Sequence, residues 1–386
     1  MIRKTTVGAC LLAATLCLTG CQSDKQETVG STADNQITKA EQTSGTEAQT
    51  TPETEASKAS EPKENKASEA ETSAKTETTK TADTEPATKA DPTAEASTSA
   101  NEPTTEEVME YKDYMDMVRK TFTMDVPKEV QKNDTGKLEH IKYYSKKAEK
   151  EKGAYVWLPP NYSPENKYPV FYVNHGITGD EGSMLKGFAL PEMASNLIQS
   201  GEAKPMILVF TFMYTNKDKA NCTAITADET PFYDAFLDDL TDSLMPYIEE
   251  NYPVLTGFEN TAIGGFSMGG RESLYISIMR PELFGYVAAS SPAPGVVPGK
   301  DMFMVHEGCM SEDEFKFAPE AMPHVLIVAG GTSDFVVGTF PKQYHELFEK
   351  NGTDHIWISV EGGNHDGSVG IPVFYNFLKC LFKAEE

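Results

Sequence analysis

Thr261-Ala262-Ile263-Gly264-Gly265-Phe266-Ser267-Met268-Gly269-Gly270 is the stretch on which the reading of this chain turns. Its first six residues are apolar or small, the composition of a short strand buried on both faces. Residues 268–279 then carry a helical pattern that stops before Arg280-Pro281. Ser267 therefore falls on a sharp strand-to-helix turn, with Gly265 and Gly269 flanking it. A Ser held there needs small neighbours, because its strained backbone packs closely against the adjoining elements. The helix starting beneath it offers free N–H groups and partial positive charge. A Gly-rich structural turn is the plain alternative. The motif occurs once in the chain and has the strand and helix that a nucleophile requires.

Outward from that turn, short apolar runs alternate with helical patterns. Strands are expected at 154–158, 168–173, 206–212, 261–266, 286–289, 325–329 and 356–360. Residues 136–153 are more polar and read as an outer strand and a turn. Helical spacing covers 232–252, where Pro246 predicts a kink or break, as well as 268–279, 341–350 and a lead-in at 107–123. This alternation predicts an α/β fold, a mostly parallel twisted sheet with helices on both faces.

An alkyl-oxygen nucleophile needs a base, and the base needs a group that orients it. In the α/β-hydrolase fold the chain order is Ser, acid, His. Five His follow Ser267: His306, His324, His345, His355 and His365. His324 opens a buried-strand pattern, and His345 and His355 lie on or near a polar helix face, so a structural part fits them better. His306 sits in an irregular acidic stretch and stays open as a candidate. His365 lies in Gly362-Gly363-Asn364-His365-Asp366-Gly367, directly after a parallel strand, where catalytic groups gather. It is the expected base. The expected acid is Asp334, on the loop after strand 325–329; Asp366, the alternative, is poorly placed to reach its own neighbour's ring. For the oxyanion, the expected donors are the N–H groups of Met268 and of Ile177, the latter in the loop Asn174-His175-Gly176-Ile177-Thr178-Gly179-Asp180. His175 reads as a loop-shaping residue.

Together these residues resemble the esterase D-like α/β-hydrolases, and within them the carbohydrate esterase family 1 feruloyl and acetylxylan esterases. The resemblance runs from about Gly136 to the C-terminus and includes Val156-Trp157-Leu158-Pro159-Pro160-Asn161-Tyr162, Lys167-Tyr168-Pro169-Val170, His175-Gly176, Asp239-Leu240 with Tyr247-Ile248-Glu249, Gly331–Asp334 and Asn364-His365. It implies Ser267 as nucleophile, Asp334 as acid and His365 as base, with no cofactor. Two departures stand out. Thr178 occupies a position where such enzymes often have a second Gly. Residues 211–216 are more apolar than the Asn-rich segment common there, so Met213 or Tyr214 is a candidate contact for an aromatic acyl group, with core packing as the alternative.

Residues 22–106 contain no Phe, Trp, Tyr, Leu or Met, and hold 18 acids and 8 Lys. Such a segment buries too little apolar surface to offset chain entropy, so a disordered tether is expected over 21–106, with a reach of about 50 Å. Before it, Arg3-Lys4 and the apolar run 7–18 have the anatomy of a secretory signal over 1–20, too short for a membrane span. Leu18-Thr19-Gly20-Cys21 resembles a bacterial lipobox, which implies lipid on Cys21 and a protein anchored to the cell membrane by that lipid alone, facing the extracellular or periplasmic side. Residues 107–386 form the remaining domain, with 24 basic and 41 acidic side chains. That balance repels phosphate backbones and argues against nucleic-acid partners. Of six Cys, only Cys222, Cys309 and Cys380 lie in the domain, in no metal-binding spacing. The expected function is a serine esterase acting on acylated xylan. A small-molecule or siderophore esterase, an acyltransferase, and a non-catalytic surface lipoprotein are the alternatives.

Overall fold

The structure, a computed structural model, describes residues 105–384. The expected signal, Cys21 and nearly all of the tether lie outside the described residues. Helix α1 (Thr105–Thr121) opens the described chain and is followed by the hairpin β1 (Lys137–Ser145) and β2 (Lys150–Leu158). Next come β3 (Val170–Asn174), α2 (Ser183–Gly187), α3 (Leu190–Ser200) and β4 (Ile207–Phe210). Three short helices, α4 (Pro231–Asp234), α5 (Phe236–Asp239) and α6 (Met245–Asn251), lead to β5 (Thr261–Phe266) and α7 (Met268–Met279). After β6 (Tyr286–Ser290) stands the two-stranded excursion β7 (Gly299–Lys300) and β8 (Val305–His306). The chain ends with β9 (Val325–Gly331), α8 (Phe340–Lys350), β10 (Ile356–Val360) and α9 (Gly367–Cys380).

Eight strands form one sheet in the order β1-β2-β4-β3-β5-β6-β9-β10. The pairings β1–β2 and β2–β4 are antiparallel, and the other five are parallel. Every residue of β3, β5 and β6 is buried. Successive strand residues point to opposite faces, so the sheet is covered on both. This is the α/β-hydrolase arrangement, and all seven expected strands are present. The polar stretch 136–153 is indeed an outer strand, and its turn is short enough that β2 begins already at Lys150.

Parity along β2 has a consequence for the interior. Lys152, Ala154 and Val156 share its buried face, so a lysine points into the protein. The expected helix over 232–252 is broken further than Pro246 alone dictates. A π-helical turn, Leu240–Leu244, precedes α6, in whose first turn Pro246 sits and where its missing N–H costs nothing. Cys222, Cys309 and Cys380 are free thiols.

Candidate active site

Three parallel strands deliver the expected chemistry to one end of the sheet. β5 runs into Ser267, β9 into the loop holding Asp334, and β10 into the loop holding His365. Ser267 has φ 58° and ψ −121°, a left-handed conformation that costs a non-Gly residue about 1–3 kcal/mol. The turn is over-determined by its surroundings. Ser267 N–H donates to the Ser290 carbonyl at 3.0 Å, and its carbonyl accepts from Arg271 and Ala293 N–H. A Cβ on Gly265 or Gly269 would enter the Asn174 carbonyl, so β3 approaches the elbow as closely as glycine permits.

His365 Nδ1 stands 2.7 Å from Asp334 Oδ2. The other carboxylate oxygen accepts from Val336 and Val337 N–H at 3.0 and 3.2 Å. Burial alone would raise the Asp334 carboxyl, but the bonds from His365 and the two amides hold it below its ordinary value. A carboxylate on Nδ1 fixes the tautomer and leaves Nε2 free to accept a proton. The His365 ring packs on Phe266, the residue before Ser267, with centroids 4.5 Å apart. Asp366 is engaged elsewhere: its carboxylate caps α9 by accepting from Ser368 N–H. The remaining His are also paired away, His306 to Asp301, His324 to Glu259, and His345 to His355.

Gly176 lies against Ser267, a Cβ built on it standing 4.0 Å from the Ser267 Oγ. Ile177, Ser267 and Met268 line one cleft together with Ala293, Val336 and Val337. Met268 is the first residue of α7, where the N–H has no intrahelical acceptor. The loop is held from behind. Met213 N–H donates to His175 Nε2 at 3.0 Å, and His175 Nδ1 lies 2.6 Å from the Gly176 carbonyl. Because an amide only donates and a carbonyl only accepts, the imidazole is neutral with its hydrogen on Nδ1. Thr178 has φ 61°, which gives a physical reason for the Gly often found at that position, and its N–H donates to Tyr233 Oη.

Burial pushes the His175 imidazole down to about 4. An unfolded-state value near 6.5 means the unfolded chain takes up a proton that the folded one refuses. The stabilisation is therefore complete above about pH 6.5 and drains away as pH falls towards 4, on the order of 3 kcal/mol in all. Denaturant melts across this window should show a slope that His175→Asn flattens by one proton. An unchanged slope in that variant would mean His175 titrates normally in the fold.

One expectation is corrected. Met213 and Tyr214 are fully buried, neither lines the cleft beside Ser267, and the Tyr214 hydroxyl is bound to Glu229. Both are core residues. The apolar surface near Ser267 comes instead from Ile225, Phe303, Met304, Val336 and Val337. Sequence reading missed these because they lie on irregular loops without periodicity; exposed Phe303 beside Met302 was the available signal. The space enclosed there is about 50 Å³. A cavity of about 670 Å³ between α1 and α9 contains none of these groups.

Comparison with known proteins agrees with this geometry. A CE1 ferulic acid esterase from Anaeromyces mucronatus, solved in complex with ferulic acid, superposes with a TM-score of 0.66. It is 42% identical, and the alignment covers 69% of this chain and 99% of that one. An endo-1,4-β-xylanase/feruloyl esterase from Xylanibacter ruminicola is 33% identical over 157 residues, 39% of this chain. Endo-1,4-β-xylanase Y from Acetivibrio thermocellus is 29% identical over 152 residues, 36% of this chain. The chain spans only 21% and 12% of the length of these two curated relatives. The sequence signature of the esterase family (described as "Putative esterase") matches residues 145–370, more than half of the chain. On this match and this likeness, the chain belongs to the esterase family of α/β-hydrolases, in its CE1 group.

Proposed function

We propose that this protein is a serine carboxylesterase that removes hydroxycinnamoyl groups, feruloyl above all, from xylan through an acyl-enzyme. The observation that supports the reading is the placement of Ser267 on its strained elbow after β5, with the Asp334–His365 pair, held at 2.7 Å, beyond the ends of β9 and β10 and the His365 ring packed on Phe266. Ser267 Oγ attacks the ester carbonyl while His365 Nε2 takes its proton. Asp334 stabilises the imidazolium, and the Ile177 and Met268 amides receive the oxyanion. His365 then protonates the departing sugar oxygen as the acyl–oxygen bond breaks, and water repeats the sequence on the acyl-enzyme.

The choice of acyl group rests on the apolar side chains leading outward from Ser267, surface of the kind an aromatic ring buries, and on the likeness to a ferulic acid esterase. Acetyl is the second reading, favoured by the small enclosed volume of about 50 Å³. Initial rates on methyl ferulate, acetylated xylan and p-nitrophenyl acetate separate them. Feruloyl specificity predicts kcat/KM for methyl ferulate at least about tenfold above that for p-nitrophenyl acetate, despite the latter's better leaving group. The reverse order, with acetate release from xylan, would give the acetyl reading.

The location of the enzyme belongs to the same proposal. The lipobox-like Leu18–Cys21 and the acidic, apolar-poor stretch 22–106 support a lipid-anchored domain on a long tether, working on bulky polymer outside the cell.

A further inference from the structure

We propose that the buried Lys152–Asp239 ion pair is a positioning device that sets the direction of the Ile177 amide, acting through Thr215, Met213 and His175. The inference rests on the reading of Ile177 N–H as an oxyanion donor.

Lys152 Nζ lies 2.7 Å from Asp239 Oδ2, with side chains 1% and 0% exposed. Tyr143 Oη donates to the same carboxylate oxygen at 2.8 Å. The rings of Phe212 and Phe236 stand 5.4 and 5.3 Å from the ammonium. Burying two charges is expensive, and well-packed apolar residues in their place are often equally stable or more so. Stability alone is thus a poor account of the pair. What the ammonium supplies is direction.

Lys152 also donates to Thr215 Oγ1 at 2.7 Å, and an ammonium has no lone pair to offer in return. The Thr215 proton is therefore turned to its other neighbour, the Met213 carbonyl at 2.8 Å. Met213 N–H donates to His175 Nε2, which leaves Nδ1–H to donate to the Gly176 carbonyl. That carbonyl also accepts from Gly179 N–H at 3.1 Å. Gly176 C=O and Ile177 N–H belong to one planar trans peptide unit, so fixing the carbonyl towards His175 aims the N–H the opposite way. Every link has one allowed polarity. The chain of donors begins at the ion pair and ends at the amide that would meet the oxyanion.

The test compares the wild type with Thr215→Val, which cuts the relay and keeps the ion pair, and with the double variant Lys152→Met/Asp239→Asn, which removes both charges together. Hydrolysis of p-nitrophenyl acetate, inhibition by phenylboronic acid (a tetrahedral adduct former) and thermal melting are measured for each. Expected is a fall in kcat of about 10- to 100-fold in both variants, with KM within about threefold. Boronate inhibition should weaken by a similar factor while a cooperative melt persists. Folded variants with wild-type kcat and boronate affinity would overturn the proposal. So would a parallel loss of kcat, KM and cooperative melting in both variants, which would make the network structural only. Failure of the esterase reading itself is distinct: it appears as a wild-type protein that hydrolyses no ester, and the proposal falls with it.

Discussion

Ser267→Ala is expected to lower ester hydrolysis by at least about 10,000-fold while the protein stays folded. Alanine keeps the Cβ, so the variant carries the same left-handed strain at φ 58° and the same backbone bonds to Ser290, Arg271 and Ala293. Only the oxygen that forms the acyl bond is gone. The oxyanion amides remain and account for what rate survives. Initial rates on p-nitrophenyl acetate beside a thermal melt give the answer. A folded variant retaining more than about 1% of wild-type turnover would remove Ser267 from the mechanism.

Asp334→Asn should be nearly as damaging, about 10,000-fold in kcat, and for a reason visible in the loop. Val336 and Val337 N–H both donate to Oδ1. An asparagine must therefore place its carbonyl oxygen at that position, which turns its NH2 group towards His365 Nδ1. Two donors cannot face each other, so the imidazole shifts its hydrogen to Nε2 and loses the lone pair that takes the Ser267 proton. The melt should change little, since size and amide bonds are kept. A loss below about tenfold, measured at neutral pH, would show that Asp334 does not set the tautomer.

The sheet was legible in the sequence because strands buried on both faces are apolar throughout, and β3, β5, β6 and β9 are such strands. The proposed nucleophile, acid and base follow from the same pattern, since each lies just beyond a strand's end. α9 escaped notice for the converse reason. It is buried nearly all round and contains Gly367, Gly370 and Pro372, so no amphipathic period marks it. Met213 and Tyr214 were ambiguous because an apolar residue after a strand suits core and pocket equally; only the fold puts them behind the oxyanion loop. Lys152 was accessible to reasoning, as a charge in step with Ala154 and Val156, but its partner lies 87 residues away on α5. The Gly-like conformation of Thr178 accompanies the loop's attachment to Tyr233, 55 residues away, and no local signal announces it.

Among the described residues, β10 is the last strand on its side of the sheet, paired to β9 alone. The loop that carries His365 therefore hangs from a border strand, whereas Ser267 springs from the sheet's middle. Opening of a border takes less free energy than global unfolding. Local opening at that border would part His365, the proposed proton acceptor, from Asp334 while leaving the elbow intact, so turnover would gauge how firmly one outer strand is docked.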